Sequence, residues 1–588
     1  MKLNKLFIAG GIAVASMSLS SCVGDLDLLP TNPNDITPGV FAEDPEAYMR
    51  QIIADVYMNV STFGPNGNNI LTSMDGGMST FQRSIFNLEE VPTDEASWIP
   101  AADAIPHTFQ FGEITADETV CRGAYNRMQL ICSLCNQFIQ TDFELKTAEQ
   151  EALHDEFVRQ AKILRSGMYF YLISDFGNVP LNDESVVMGA VAPQLSTNFN
   201  EGRRLVTEAV VNTLEEIVSW YKANDPNNKP PYGYVGLDVA ESLLVKFYLN
   251  YEVFTGAPAW DKCFSHAQAV IARHQGSGFV ASDGVATGLA KNYFQNFGFN
   301  NTHEDEIIWR IVSQNADTPS GVNPGNVGLL NWANGGLMLM GWIGGDLLPM
   351  YNAGTGWKCI VARTQFVEVF DWNADYTESP DDRVTWWTTA KQGFNIENPD
   401  LDYDNWGNNG YLAVKYINWY VNDDGTVSAS NKMFNVNEET GEVTPVLPVD
   451  VVDANLSPEN GTDVDPTSLD YGMLRLGEIY LSAAEAALNG GGSTADALKY
   501  VNYIRERAGM PAYSNINLTE LRRERQRELY TECTRRTDLV RYGQWISGYN
   551  WNWKYHAPEG TDFPARLAVY PIPAVVIKDN GYTQNPGW

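Results

Sequence analysis

Asp400, Asp402 and Asp404 alternate in a D-x-D-x-D run, the spacing with which a calcium loop begins to gather oxygen ligands. An EF-hand then needs Gly at its sixth position and Glu at its twelfth. Asn405 and Tyr411 stand there, so an EF-hand is rejected and an irregular structural calcium site is the one cofactor reading left open. Cys132 and Cys135 form a Cys-x-x-Cys inside Tyr125–Phe138, which reads as a helix. A structural zinc site needs a second such pair, which the chain lacks. Buried thiols acting as small apolar side chains are the preferred reading, with a redox pair as the alternative. Nucleophile and metal-hydrolase signatures are missing: there is no G-x-S-x-G, no H-E-x-x-H and no P-loop. The expectation is therefore a protein that is not an enzyme. A pair of carboxylates brought together from distant parts of the chain would leave no such motif, so a surface glycoside hydrolase remains the enzymatic alternative.

Glu520, Glu524, Glu528 and Glu532 recur every four residues, among Arg522, Arg523, Arg525, Arg527, Arg535, Arg536 and Arg541. On one helix over 520–541 the glutamates line one face. The reading is a ladder of helix-surface ion pairs tying the C-terminal part to the body, in preference to a phosphate site.

The whole chain argues against a polyanionic partner. It has 588 residues, 39 Lys and Arg against 73 Asp and Glu, and a formal charge of −34. Such a surface repels nucleic acid. Hydrophobic residues make up 44%, enough to bury a core. No run after residue 21 is long and apolar enough to span a bilayer, so any membrane attachment should be by a lipid anchor only. The start of the chain supplies one: Lys2 and Lys5, then an apolar stretch Leu6–Leu19, then Leu19-Ser20-Ser21-Cys22. This is the layout of a secretory leader, and its end matches the lipobox at which bacterial lipoproteins are cut and their cysteine acylated; the alternative is an ordinary signal peptide with an incidental cysteine. The expected organisation is a signal peptide over 1–21, a Pro- and Asn-punctuated tether over 22–45, and a single body over 46–588.

Helices must position whatever the body carries. Leu153, Phe157, Ala161, Leu164, Met168 and Leu172 fall on one face of a helix that ends at Asp175-Phe176-Gly177. Ala240, Leu243, Phe247, Tyr251 and Phe254 mark a second, stopping at Gly256, with a partner over 260–273. Tyr471–Leu488 reads as a third, broken at Asn489-Gly490-Gly491-Gly492 and followed by a helix with Ala497, Val501, Ile504 and Ala508 inward. Hairpins of this kind can stack as tetratricopeptide-like repeats. The fold class expected is mostly α: a helical-hairpin scaffold, mainly over 120–275 and 470–545. A large irregular portion, mainly 60–115 and 280–470, is dense in Gly, Asn, Asp, Pro and Trp.

Four stretches resemble the SusD/RagB family of surface glycan-binding lipoproteins from Bacteroidetes. They are Phe157–Leu181 (FVRQAKILRSGMYFYLISDFGNVPL), Tyr471–Pro511, Glu520–Gly543 and the tail from Tyr570-Pro571-Ile572-Pro573 to Asn585-Pro586-Gly587. Ser166 stands where the family usually has Ala, and Cys533 where Gly is common. The resemblance implies four tetratricopeptide-like pairs and a non-catalytic protein, lipid-anchored in the outer membrane and facing the cell exterior. It would capture oligosaccharide and deliver it to a SusC-like, TonB-dependent barrel in nutrient uptake. The RagB side of the family raises peptide capture as the alternative.

The resemblance also directs attention to ligand contacts. Sugar rings offer flat C–H faces and a rim of hydroxyls, so they call for aromatic platforms and polar partners. The loop after Thr93-Asp94-Glu95 leads to Trp98, which is expected to be an exposed stacking platform. Trp332, Trp342 and Trp357, each beside Gly or Asn, are further platform candidates. Asp75, in Met74-Asp75-Gly76-Gly77, is either a ligand carboxylate or a turn cap. Arg383, in Asp381-Asp382-Arg383, is either a binder of hydroxyls or acidic sugars or half of a structural ion pair, the latter preferred.

Overall fold

The computed structural model of the chain describes residues 44–61, 80–98, 108–298, 301–312, 360–373, 378–385, 387, 413, 415–417, 420–428, 434–436, 443–445 and 470–588. Its principal helices are α1 (Pro45–Ser61), α2 (Phe81–Glu89), α3 (Thr119–Gln140), α4 (Ala148–Phe176), α5 (Phe199–Asn224), α6 (Leu237–Leu249), α7 (Tyr251–Thr255) and α8 (Trp260–His274). After the irregular stretch come α9 (Leu476–Ala486), α10 (Thr494–Arg507), α11 (Leu518–Leu529), α12 (Arg535–Arg541) and α13 (Ala574–Asn580). Among the described residues, strands are few and short. β1 (Ala96–Trp98) pairs antiparallel with β3 (Ile360–Ala362), and β2 (Ile307–Ile311) with β4 (Tyr471–Arg475).

The long helices form where periodicity and caps agree. Thr147 caps α4 by accepting from the Gln150 N–H, and Glu149 and Glu151 sit in its first turn, favourably placed at the positive end of the dipole. Gly177 ends the helix at φ +68°, a left-handed conformation that a side chain would strain. Phe157, Ala161, Leu164, Met168 and Leu172 are all buried, as their spacing requires. Beyond Ile163 every residue of α4 is buried, because α1, α3, α5 and α6 surround it. Gly167 permits part of that closeness: a Cβ there would lie 2.6 Å from the indole of Trp309 in β2.

Packing runs along the chain from neighbour to neighbour. α3 packs on α4, α4 on α5, α5 on α6, α6 on α8, α8 on α9, and α9 on α10 and α11. This is the stacking of a helical-repeat solenoid, in which each hairpin buries its apolar face on the next.

Two expected helices are corrected. Residues 471–475 are strand β4, not the first turn of a helix. Ile307 pairs with Arg475 and Ile311 with Tyr471 across the two strands, and this distant partner overrides local helical preference. The helix expected over 520–541 is two helices. Thr531 at φ +63° and Cys533 at φ +58° turn the chain between α11 and α12.

Candidate functional site

Strand β1 carries the expected platform residue, and three contacts fix it. Gln110 brackets the Trp98 backbone: the Trp98 N–H donates to Oε1 at 2.9 Å, and Nε2 donates to the Trp98 carbonyl at 2.7 Å. Arg363, next to β3, donates from Nε to the Ala96 carbonyl at 2.9 Å. The Arg83 guanidinium of α2 lies 4.8 Å from the centre of the Trp98 ring. The result corrects the expectation of exposure. Trp98 is 1% exposed and belongs to the core. A ring enclosed in this way presents no face on which a sugar could stack.

The corner between α2 and β1 is polar as well as buried. All nine residues of α2 are buried, including Gln82, Arg83, Ser84, Asn87 and Glu89. Among the described residues, the Trp98 indole N–H, the Ser84 hydroxyl and both amide atoms of Asn87 have no hydrogen-bond partner. Leaving each such group unpaired costs about 1–3 kcal/mol. Buried polar atoms without partners are uncommon and ask for a reason.

Thr93-Asp94-Glu95 is an anchor for this corner. Arg535 of α12 grips Asp94 through Nε to Oδ1 and Nη2 to Oδ2, both 2.7 Å. Tyr549 and Gln526 donate to the same carboxylate at 2.7 and 3.1 Å. Burial alone would raise the Asp94 pKa, but the charge and hydrogen bonds of Arg535 outweigh it and hold the group at about 2. Burial, reinforced by the Asp94 charge and opposed by Arg535, pushes Glu95 up to about 7. Burial and the Glu95 charge push Glu90 well above the usual carboxylate range. Nearby, Asp175 is likewise raised by burial and by Glu89, while Arg536 donates to it at 2.9 Å. Glu89, Glu90, Asp94, Glu95 and Asp175 are at most 4% exposed, so neither bulk water nor a glycosidic bond reaches them.

Arg383 is interior too, so its candidacy as a glycan contact falls and its preferred reading stands. It is fully buried and ion-paired to Asp381 at 2.7 Å, Glu524 at 2.9 Å and Glu528 at 3.2 Å. Of its two readings the structural ion pair is the one observed. The pair belongs to a larger network. Arg475 meets Glu306, Glu528 and Glu532 at 2.5, 3.2 and 2.6 Å. Arg507 meets Glu306 and Glu528, Arg505 and Arg527 meet Glu524, and Lys415 meets Glu532. Burial lowers the Lys415 pKa to about 8 against the pull of Glu532. Gly477 leaves room for this cluster, since a Cβ there would fall 2.9 Å from Glu528 Oε1.

The glutamate ladder is therefore interior, not surface. Glu524, Glu528 and Glu532 are buried, and their partners come from several directions. Glu306, Asp381, Arg383 and Lys415 belong to the irregular portion, while Arg475, Arg505 and Arg507 belong to the helical scaffold. The network is the joint between them. Sequence reasoning missed Glu306, Lys415 and the Asp94–Arg535 pair. The one available signal was a helix, RRERQREL, with too few apolar residues to be held in place by its apolar side chains alone.

Asp75, Trp332, Trp342, Trp357, Asp400, Asp402, Asp404 and Cys22 lie outside the described residues. Among the described residues no cluster of His, Cys, Asp or Glu is arranged to hold a metal ion, and no helix is long and apolar enough to cross a membrane. Cys132 and Cys135 are buried free thiols, with pKa values raised by burial.

Stacked helical hairpins, locked by buried ion pairs to an irregular segment, define a repeat-scaffold protein of the tetratricopeptide kind. Comparison with known proteins narrows that class. Residues 305–588 match the SusD family model. The chain is 26% identical, over 100% of its length and 99% of the relative's, to the starch-binding protein SusD of Bacteroides thetaiotaomicron. A laminarin-binding SusD-like protein shares the fold with a TM-score of 0.62 at 19% identity, over 92% of this chain and 99% of that one. Surface glycan-binding protein A from Bacteroides thetaiotaomicron, solved in complex with laminarihexaose, does so with a TM-score of 0.59 at 17% identity and the same coverage. The chain is thus similar to SusD-family proteins, by the family model over residues 305–588 and by this relative over its full length.

Proposed function

We propose that this protein captures an oligosaccharide at the cell surface without cleaving it and passes it to a SusC-like, TonB-dependent barrel in the outer membrane. The observation that carries the reading is full-length similarity to a protein named for binding starch. The fold shared with a glycan-binding protein bound to laminarihexaose supports it. So does the burial of the Glu89, Glu90, Glu95 and Asp175 carboxylates, which keeps them from acting as a hydrolytic pair. In this proposal Trp332, Trp342 and Trp357 supply stacking planes and Asp75 accepts from a hydroxyl. Trp98 and Arg383 serve the framework.

A lipid on Cys22 would hold the protein on the outer membrane, facing the cell exterior. A polar oligosaccharide does not cross a bilayer unaided, so capture is useful only beside a transporter. Glycan-array binding set against a peptide array tests the ligand class. Binding to glycans, with no new reducing ends after incubation, is expected; selective binding of peptides would replace this reading with peptide capture. Pull-down after gentle detergent extraction should recover a barrel in near-equal amount. Recovery of the lipoprotein alone, with no crosslink to a barrel in cells, would remove the delivery step.

A further inference from the structure

A groove of 690 Å³ lies between α4, the end of α5 and the loop over 225–234, with Arg50 of α1 at its rim. That volume is within the roughly 300–1,000 Å³ of small-ligand sites. It shares no lining residue with the Trp98 corner. Trp220 lines it and is 40% exposed, the one tryptophan among the exposed large apolar side chains of the described residues.

The indole is held in place before any ligand arrives. The Arg159 guanidinium covers part of it at 3.5 Å from the ring centre. Glu156 in turn fixes Arg159, accepting from Nε at 3.1 Å and from Nη2 at 2.9 Å. Tyr221 meets Trp220 edge-on at 5.3 Å and donates from its hydroxyl to Glu156 at 2.8 Å. A second aromatic of the groove, Tyr234, is braced by Tyr57 at 4.9 Å. A rigid aromatic loses little entropy when a ligand lands on it.

The polar rim is balanced in sign. Arg50, Arg159 and Lys229 line the groove against Asp155, Glu156 and Asp225, and Arg159 is paired with Glu156. Asp155 keeps a carboxylate that is 70% exposed, and Lys229 is exposed with no ion pair among the described residues. An accepting carboxylate and a donating ammonium beside an aromatic plane, with no excess charge, suit neutral hydroxyls better than an ion.

We propose that this groove is a second oligosaccharide subsite, which takes a neutral glycan with a sugar face on Trp220 and hydroxyls on Asp155 and Lys229. The proposal rests on the glycan-binding reading above. Two subsites on one body would grip a long chain twice, and the second contact would be intramolecular.

The test uses the full mature chain, first on a glycan array, then in affinity gels of soluble starch, laminarin and the best array polymer, and by calorimetry with maltohexaose and laminarihexaose. Trp220→Ala and Asp155→Ala should keep the wild-type melting midpoint, because both side chains stand at the surface. Polymer retention should fall by about tenfold, and the stoichiometry for a short oligosaccharide should drop by one site, with Trp220→Phe restoring most of the loss. Wild-type retention and stoichiometry in both alanine variants would overturn the subsite and leave the main reading intact. Failure of the wild type to bind any glycan on the array would overturn the main reading, and the subsite with it.

Discussion

Arg535 donates two hydrogen bonds of 2.7 Å to Asp94, with both side chains out of contact with water. Removing one partner leaves the other charged and buried, so Arg535→Met should lower stability by about 3–5 kcal/mol in denaturant unfolding. Loss of the exposed Arg50–Glu46 pair should cost less than about 1 kcal/mol. The pH dependence of the same corner has two limbs. Asp94 is held at about 2, below its ordinary value, so its stabilisation is full above that ordinary value and disappears as pH falls toward 2. Glu95 is held at about 7, above its ordinary value, so its contribution is full in acid and is lost as pH rises through 7. Glu95→Gln, which cannot ionise, should therefore gain in melting midpoint relative to wild type between pH 5 and pH 8; a constant difference would contradict the assignment. Trp98 is a core side chain, so Trp98→Ala should destabilise by about 3–5 kcal/mol. An unchanged unfolding midpoint would mean that the ring is exposed after all.

At the scale of elements, the turn between α11 and α12 is where local preference and tertiary need conflict. Cys533 sits at φ +58°, and its thiol is 3.4 Å from the Tyr471 hydroxyl. Cys533→Gly relieves backbone strain and forfeits a small buried side chain. These effects oppose each other, so the variant should lie within about 1 kcal/mol of wild type. Cys533→Val puts a β-branched residue in a left-handed conformation and should lose about 2 kcal/mol or more. Equal melting midpoints for the two variants would argue against strain at this position. The turn escaped the sequence reading because its four-residue glutamate spacing continues helical periodicity through 530–534, and no Gly or Pro interrupts it. α4 and α10 were legible for the opposite reason. Apolar spacing, caps at Thr147 and Ser493, and stops at Gly177 and Gly509 all agree there.

For the whole molecule, the buried ion network ties the described parts of the irregular portion to the helical scaffold, with Glu528 alone shared by Arg383, Arg475 and Arg507. A lipid at Cys22, as proposed, would attach the body to a membrane. Cys22→Ala should move the protein from the membrane fraction to the soluble fraction; an unchanged distribution would exclude the anchor. The sequence by itself determined the helical class and the family resemblance, because helix periodicity, caps and family motifs are written in residues close together in the chain. Only the tertiary structure decided which chemistry-bearing residues are inside. Trp98 and Arg383 are framework residues because Gln110, Arg363, Glu524 and Glu528 arrive from distant segments to enclose them. Burial and ion pairing are properties of long-range assembly, and a run of glutamates and arginines reads the same on a wet face as in a dry joint.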